Sequence, residues 1–431
     1  MALNTPMQTS LDAARALDRA DPLAALRSEF CHPATPGGEP KIYLCGHSLG
    51  LAPRSAFARV EEELADWARL AVEGHQHALR PWMQYAERLE RGLQALTGAH
   101  AHELVAMNSL TVNLHLMLAS FYRPNGRRRR ILIEGGAFSS DRHAIAAQIA
   151  WHGRSPDEDL VELGARAGED ILRAEDIDAA IAKLGGELAL VLWPGVQFRT
   201  GQAFDCARIA RAAHAAGAIA GFDHAHAIGN LPLDLRRDDA DFAVWCSYKY
   251  LNAGPGAIGG AFVHERHARD PQRLRLAGWW GHDPATRFQM KPGFVPADGA
   301  ASFAVSNLPI LSAAPLLAAL EIFERAGIER LRSKSIALNA FAEQLLDESP
   351  GTSIRVVTPK AAAQRGCQLS LRLASPQAGR RVFERMTQLG VVGDFREPDI
   401  IRIAAVPLYN GFEDVWHGVT RLLQAERDCQ S

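Results

Sequence analysis

The stretch from residue 218 to residue 263 holds the side chains best placed for covalent chemistry. An apolar run, 219–222, leads directly into Asp223, His224, Ala225 and His226. A second run, 242–246, ends in Ser247, Tyr248 and Lys249, followed by Gly254, Gly256, Gly259 and Gly260. A lysine at the end of a buried strand is unfavourable unless it is paired, neutral or covalently used. A Schiff-base lysine needs that condition, because its amine must be a nucleophile near neutral pH. An upstream aspartate at another strand end is the partner that a pyridinium electron sink such as pyridoxal 5'-phosphate requires. The same residues also suit a structural aspartate and a surface lysine whose stem lies along the protein.

Two further groups could complete such a site. Asn108, Ser109, Leu110 and Thr111 leave one apolar run and enter the helical segment 112–121. Their hydroxyls and the helix-start amides form a ready anion site, or a plain helix cap. Residues 133–141 read IEGGAFSSD, where Phe138 could stack on a planar ring or sit in the core behind a helix cap. The pairs His75/His77, His100/His102 and His224/His226 could ligate zinc, but no cysteine cluster or H-E-x-x-H accompanies them, so no metal is expected. The four arginines at 127–130 read as a solvated loop rather than a nucleic-acid patch.

The elements that must position these residues show as alternating periodicities. Residues 55–73 have the apolar spacing of an amphipathic helix. Short apolar runs follow at 104–107, 131–133, 188–193, 219–222, 242–246 and 258–263, separated by helical segments such as 174–184 and 205–216. That alternation predicts an α/β fold, a three-layer sandwich with a mostly parallel central sheet covered on both faces. The last third mixes helical segments at 312–346 and 376–389 with strand-like 354–357, 368–373, 391–395 and 401–406, which suits a smaller C-terminal α+β domain. The expected layout is an N-terminal segment, 1–64, packing on both domains, a large domain, 65–310, and a small domain, 311–431.

Composition excludes several classes. The 431 residues carry 47 Lys+Arg against 49 Asp+Glu, so no global charge favours nucleic acid or a membrane surface. The six cysteines include no C-x-x-C pair, and the first residues lack the apolar core of a signal peptide. Reduced thiols in a cytoplasmic protein are therefore expected. The uncharged stretch 299–320 contains Pro309, Pro315, Ser302, Ser306 and Asn307, which argues for a loop feeding a buried helix rather than a membrane span.

With these motifs in view, the sequence resembles the kynureninase family of fold-type-I pyridoxal-phosphate enzymes. The similarity runs from Tyr43 to about Phe412. It is carried by YLCGHSLGLAP (43–53), GHQHALRPW (74–82), NSLTVNLHLML (108–118), AFSSD (137–141), GFDHAHAIGN (221–230), WCSYKYLNAGPGAIGGAFVHERH (245–267), GWWGH (278–282), SNLPI (306–310), RGCQL (365–369) and IRIAAVPLYN (401–410). SYKYLNAGPG and VPLYN are the most specific of these.

The resemblance implies roles residue by residue. Lys249 would carry the Schiff base, Asp223 would pair with the pyridine nitrogen, and Phe138 would stack on the ring. Leu110 and Thr111 would hold the phosphate, and Ser139, Ser140 and Asp141 would form the cofactor-contacting turn. Tyr248 would reach the phosphate and act as a late proton donor, and His226 would lie in the cofactor shell. Trp279 and Asn307 would complete the site from a partner subunit, which implies a homodimer with shared sites. Arg402 would clamp the substrate carboxylate with its bidentate fork. Ser48, His75 and Asn307 would line the substrate. The implied reaction is hydrolytic Cβ–Cγ cleavage of L-kynurenine, with 3-hydroxy-L-kynurenine as the related substrate, to an anthranilate and L-alanine. One position departs from the family pattern. Pro194 stands where members carry a Ser or Thr before Gly195 and Val196, and it offers neither hydroxyl nor amide donor. The rival assignment is another enzyme on the same fold, a cysteine desulfurase or aminotransferase. A desulfurase needs a mobile catalytic cysteine, whereas Cys367 runs into a strand-like segment.

Overall fold

The apolar runs fold as neighbouring strands, in an order that sequence spacing does not state. The structure is a computed structural model that describes residues 9–430. The first eight residues of the expected 1–64 segment, and Ser431, lie outside the described residues. The strands are β1 (Ile42–Tyr43), β2 (Leu104–Ala106), β3 (Arg130–Glu134), β4 (Leu160–Leu163), β5 (Leu188–Pro194), β6 (Ile219–Asp223), β7 (Phe242–Trp245), β8 (Gly260–Val263), β9 (Arg355–Val356), β10 (Gln368–Arg372), β11 (Val391–Val392), β12 (Asp394–Arg396) and β13 (Ile400–Ala404).

Seven of them form the central sheet in the order β2-β8-β7-β6-β5-β3-β4. The strands β7, β6, β5, β3 and β4 are parallel to one another, and β8 runs against both its neighbours. Side chains alternate across a strand, and the two faces of the sheet collect them separately. Trp193, Phe222, Ala243, Trp245 and Phe262 pack on one face with Ile181, Ile209 and Leu93 from helices. Ile131, Ile133, Leu192, Val244 and Val263 pack on the other with Met117, Phe121 and Ile149. Helices on both faces make the expected three layers. Gly221 in β6 is required by this packing: a Cβ there would come within 2.2 Å of the Phe242 ring on β7.

The C-terminal sheet is antiparallel, in the order β12-β13-β10-β9. Its core joins Leu369, Leu371, Ile401 and Ile403 to Phe341, Val382 and Val419 from three helices. The run expected at 391–395 divides into two strands. β11 pairs in parallel with β1 of the N-terminal segment, and β12 joins the four-stranded sheet. That segment touches both cores, through Phe30 and Leu51 on one side and Ile42 and Leu44 on the other. The expected helix 312–346 is two helices, Ile310–Ala326 and Ile328–Asp347, separated by Gly327 at φ 75°. No helix among the described residues is long and apolar enough to cross a membrane.

Of the arginines at 127–130, Arg127 lies in a solvated turn, and the other three are half-buried. Arg127 and Arg130 pair with Glu187, Arg129 pairs with buried Asp159, and Arg128 donates to the carbonyls of Leu188 and Ala216. They tie β3 to the elements on either side of it.

Asp241 fastens the two strands that carry the candidate lysine and aspartate. It precedes β7, and its Oδ2 accepts from the Ala220 amide of β6 at 2.7 Å and from His214 Nε2 at 2.9 Å. Its Oδ1 accepts from His267 and from Arg266, each at 2.6 Å. Burial alone would raise its pKa, but these hydrogen bonds hold the carboxyl well below the usual range. Stability from a depressed carboxyl is present above its unfolded value, near 4, and is lost as pH falls through the folded one. Asp241→Asn is expected to lose about 1–3 kcal/mol at neutral pH, because it removes a buried charge that His214, His267 and Arg266 all meet and leaves one acceptor oxygen for them. Urea midpoints should fall less steeply from about pH 5 to about pH 3 in the variant than in the wild type.

Candidate active site

The carboxyl ends of β3, β5, β6 and β7 face the N-terminus of the helix Leu110–Phe121 across one cleft. Ligands bind at such strand ends in open α/β sheets. Of the residues singled out from sequence, Leu110, Thr111, Phe138, Ser140, Asp141, Asp223, His226, Tyr248 and Lys249 all line it, as does Pro194.

Three carboxyls share this space. Asp223 ends β6 and accepts from the Ala225 amide at 2.7 Å. Asp141, in the first turn of the helix Ser139–Trp151, hydrogen-bonds Asp223 and receives the Ser140 hydroxyl at 3.2 Å. Burial and the Asp223 charge push Asp141 well above the usual carboxyl range. Burial also raises Asp223, but the Lys249 cation pulls it back. The hydrogen bond between the two carboxyls holds one proton that the pair shares, and Lys249 lies beside the pair. Glu134, at the end of β3, is pushed up to about 8 by burial, with Asp223 adding to the effect.

Lys249 Nζ lies 5.8 Å from the ring centres of both Phe138 and Tyr248. Burial, with Cys246 beside it, raises the Tyr248 phenol above its ordinary value, so the hydroxyl keeps its proton. Burial and Lys249 lower His226 well below the usual imidazole value, so its ring is neutral. Its Nδ1 is buried without a partner among the described residues. Ser109 stands at the cap position of the helix Leu110–Phe121, but its side chain makes no capping bond. The first-turn amides are left free for an anion. The expected loop 299–320 is a short turn, Gly299–Phe303, leading into the helix Ile310–Ala326.

Other sequence candidates lie elsewhere. Ser139 is exposed at the start of its helix. Trp279 is 46% exposed and Asn307 is also exposed, both outside this cleft. His75 packs edge-on against Trp82 at 5.4 Å. Ser48 lies in a turn whose Gly50 amide donates to the Tyr248 carbonyl at 2.8 Å, so it borders the Lys249 loop without lining the cleft. Arg402, on β13, is 1% exposed and does not line the cleft either. Its Nη1 donates to the Phe198 carbonyl at 2.6 Å, and Nε donates to Asp394 at 2.6 Å while Nη2 pairs with the same carboxylate. Phe198 lines the cleft and packs edge-on to Phe138 at 5.2 Å, so it separates Arg402 from the open space.

Sequence reasoning missed Glu134, Val196, Phe198 and Asp394. Glu134 carried the signal that marked Asp223, a charged residue closing an apolar run. Asp394 carried none, since its partner is eight positions away on another strand. Cys45, His47 and Asp394 come within 4.8 Å of one another, a geometry open to a metal. Arg402 and Arg396 already occupy both oxygens of Asp394, and their charge opposes a cation. Of the histidine pairs, only His102 joins such a group, with Glu103 and Glu265.

A mostly parallel seven-stranded sheet with an aspartate and a lysine at the ends of adjacent strands defines the fold-type-I architecture of pyridoxal-phosphate enzymes. Solved structures share it. A variant of the cystine lyase C-DES, with glycine covalently linked to its pyridoxal-phosphate cofactor, superposes with a TM-score of 0.76 at 20% identity, covering 92% of this chain and 98% of that one. A cysteine desulfurase from Escherichia coli gives 0.72 at 18% identity, over 94% and 98%. At these identities the likeness is one of fold. The nearer sequence relatives are more specific. The kynureninase of Xanthomonas campestris pv. campestris (strain B100) is 55% identical over 93% of this chain and 95% of its own. That of Myxococcus xanthus (strain DK1622) is 50% identical over 97% and 99%. The family model for the kynureninase C-terminal domain matches residues 331–422. The chain belongs to the kynureninase family, and it is an enzyme.

The Arg402–Asp394 pair generates a stability prediction. The Arg402 hydrogen bonds and the His47 ring 3.3 Å away outweigh burial and hold Asp394 well below the usual carboxyl range. Removing that carboxylate leaves the Arg402 guanidinium buried and unpaired. Asp394→Ala is expected to lower unfolding stability by about 3–5 kcal/mol in urea titration, and a loss under about 1 kcal/mol would mean that the Phe198 carbonyl alone satisfies the arginine.

Proposed function

We propose that this enzyme is a pyridoxal-phosphate-dependent hydrolase that cleaves the Cβ–Cγ bond of L-kynurenine, yielding anthranilate and L-alanine. 3-Hydroxy-L-kynurenine is the related substrate, giving 3-hydroxyanthranilate, in tryptophan breakdown and NAD synthesis. The observation that carries this reading is 50–55% identity over 93–97% of the chain to proteins named kynureninase.

The cleft residues fit the cofactor. The free amides and the Thr111 hydroxyl at the helix start suit a phosphate, Phe138 suits a flat ring, the Asp223 carboxyl suits a pyridinium, and Lys249 supplies the amine. The orphaned polar atoms of His226 and Glu134 are those of a site built around a polar ligand. Bound there, pyridoxal phosphate supplies an electron sink next to the substrate's α-carbon. Asp223 keeps the ring nitrogen protonated, with Asp141 hydrogen-bonded to Asp223. Lys249 removes the α-proton through Nζ once its amine is free. Water attacks the substrate's γ-carbonyl, and the Cβ–Cγ bond breaks with release of anthranilate. Tyr248, whose phenol keeps its proton, returns one to Cβ on the way to L-alanine. Arg402 receives the α-carboxylate when Phe198 moves aside, and Ser48 and His75 border the aromatic end.

The protein is proposed to work as a homodimer, in which Trp279 and Asn307 reach the partner's cleft. Support comes from the apolar side chains exposed around Trp279, among them Leu276, Phe288, Met290 and Val295. The six cysteines are unpaired, which supports a reducing compartment such as the cytoplasm. A large lobe and a small C-terminal lobe are proposed to meet at the Gly327 turn rather than at residue 310, because the helix Ile310–Ala326 packs wholly into the large core.

L-kynurenine added to the protein with pyridoxal phosphate is expected to release anthranilate, read by its fluorescence. A yellow protein that releases none would favour an aminotransferase-type activity on the same fold. Lys249→Ala should abolish the visible band and turnover together. Arg402→Lys should raise KM by about tenfold through loss of the bidentate fork, and an unchanged KM would remove Arg402 from carboxylate binding.

A further inference from the structure

One carboxyl in the cleft wall has no part in the chemistry above. Glu134 is 2% exposed, and its Oε2 is buried with no hydrogen-bond partner among the described residues. Gln197 hydrogen-bonds the same carboxyl. That glutamine is itself fixed: its amide donates to the Gly136 carbonyl at 3.2 Å, and its Oε1 accepts from the amides of Arg199 and Thr200 at 2.6 and 2.8 Å. The glutamate is therefore held from one side, and the residue is part of the lining of the cleft. A buried polar atom left unpaired is unfavourable by more than a made hydrogen bond gains, so such atoms usually have a ligand to meet.

The surroundings decide what Glu134 can offer. The titratable groups around the same cleft are Asp223 from β6, Asp141 from the helix Ser139–Trp151, Tyr248 and Lys249 after β7, and neutral His226. Burial, with Asp223 adding to the effect, pushes Glu134 up to about 8 and leaves it as the acid at neutral pH. It presents an O–H, not a second negative charge.

Pro194 makes that O–H matter. The β3–β5 ladder pairs Arg130 to Leu132 with Leu188 to Val191 and stops there. The Gly195 amide donates to the Asp223 carbonyl on β6. Because successive main-chain donors alternate sides, a donor at position 194 would face the β3 side. Proline supplies neither that donor nor a hydroxyl. The wall between β3 and β5 thus has Glu134 as its available donor.

Resting on the cofactor reading above, we infer that Glu134 is a cofactor-binding residue, a neutral acid that donates a hydrogen bond to the 3-oxygen of the pyridoxal ring in place of a hydroxyl at position 194. The other polar groups of that ligand have partners: Asp223 for the ring nitrogen, the helix start for the phosphate, Lys249 for the aldehyde carbon. A hydrogen bond to the 3-oxygen stabilises its anion, tightens binding of the cofactor and lowers the pH midpoint of the visible absorption of the loaded protein.

The test uses full-length protein loaded with pyridoxal phosphate. It reads cofactor dissociation by fluorescence quenching and the pH midpoint of the visible band. Glu134→Ala should weaken binding about tenfold and raise the midpoint by about one pH unit. Glu134→Gln, which keeps an N–H donor and cannot ionise, should stay within about twofold of wild type. Pro194→Ser added to Glu134→Ala should recover most of the shift. With 3-deoxypyridoxal phosphate, which lacks the oxygen, wild type and Glu134→Ala should bind alike. An unchanged midpoint in Glu134→Ala overturns the inference, and so does a Glu134→Gln protein that behaves like the alanine variant. Loss of the band in the wild type itself would overturn the cofactor reading, and this inference with it.

Discussion

The site depends on how three carboxyls can be buried together. Glu134, Asp141 and Asp223 all line one cleft, and none is more than 8% exposed. Three carboxylates there would repel one another and lack water, so burial raises all three, two of them share a hydrogen bond, and a lysine lies near Asp223. That solution needs the ends of β3, β6 and β7 at fixed separations. The strand order provides it by setting β6 between β7 and β5, with β3 next, and Asp241 locks β6 to β7 from below. A bound pyridinium would add the positive charge that the arrangement still lacks. The fold and the cofactor reading thus share one electrostatic cause.

Much of this was legible in the sequence, and the reasons differ by element. Strands of the central sheet announced themselves because each is buried on both faces and so is a continuous apolar run. Asp223 and Lys249 stood out because a charge closing such a run is physically anomalous. β4 was not legible: its Glu162 and half-exposed edge position break the apolar run. Arg129 and Arg130 looked like part of a solvated loop because their partners, Asp159 and Glu187, sit on other elements. The same holds for Asp394, whose tie to Arg402 arises only when β12 pairs with β13. Pairing across strands leaves no local signature, and neither does the position of Trp279 and Asn307 on the outer surface.

The most consequential feature that sequence could not show is a backbone strap. Residues 42–50 run from the small sheet to the lysine loop. The Leu44 amide donates to the Val392 carbonyl, and the Ala404 amide donates back to Leu44. A few residues on, the Gly50 amide reaches Tyr248, and a Cβ at Gly50 would sit 2.3 Å from the Lys249 carbonyl. Main-chain bonds at both ends allow little slack over so few residues. β13 carries Arg402, and the strap joins β13 to the Lys249 loop, so a shift of the small sheet reaches Arg402 and Lys249 together. Phe198 is placed to sense the same shift, because its carbonyl holds Arg402 while its ring packs on Phe138. Opening a path to Arg402 therefore requires moving a ring that also touches the cofactor-facing wall. Substrate entry and cofactor positioning are one mechanical problem in this fold, solved by a strap of nine residues rather than by the two lobes separately.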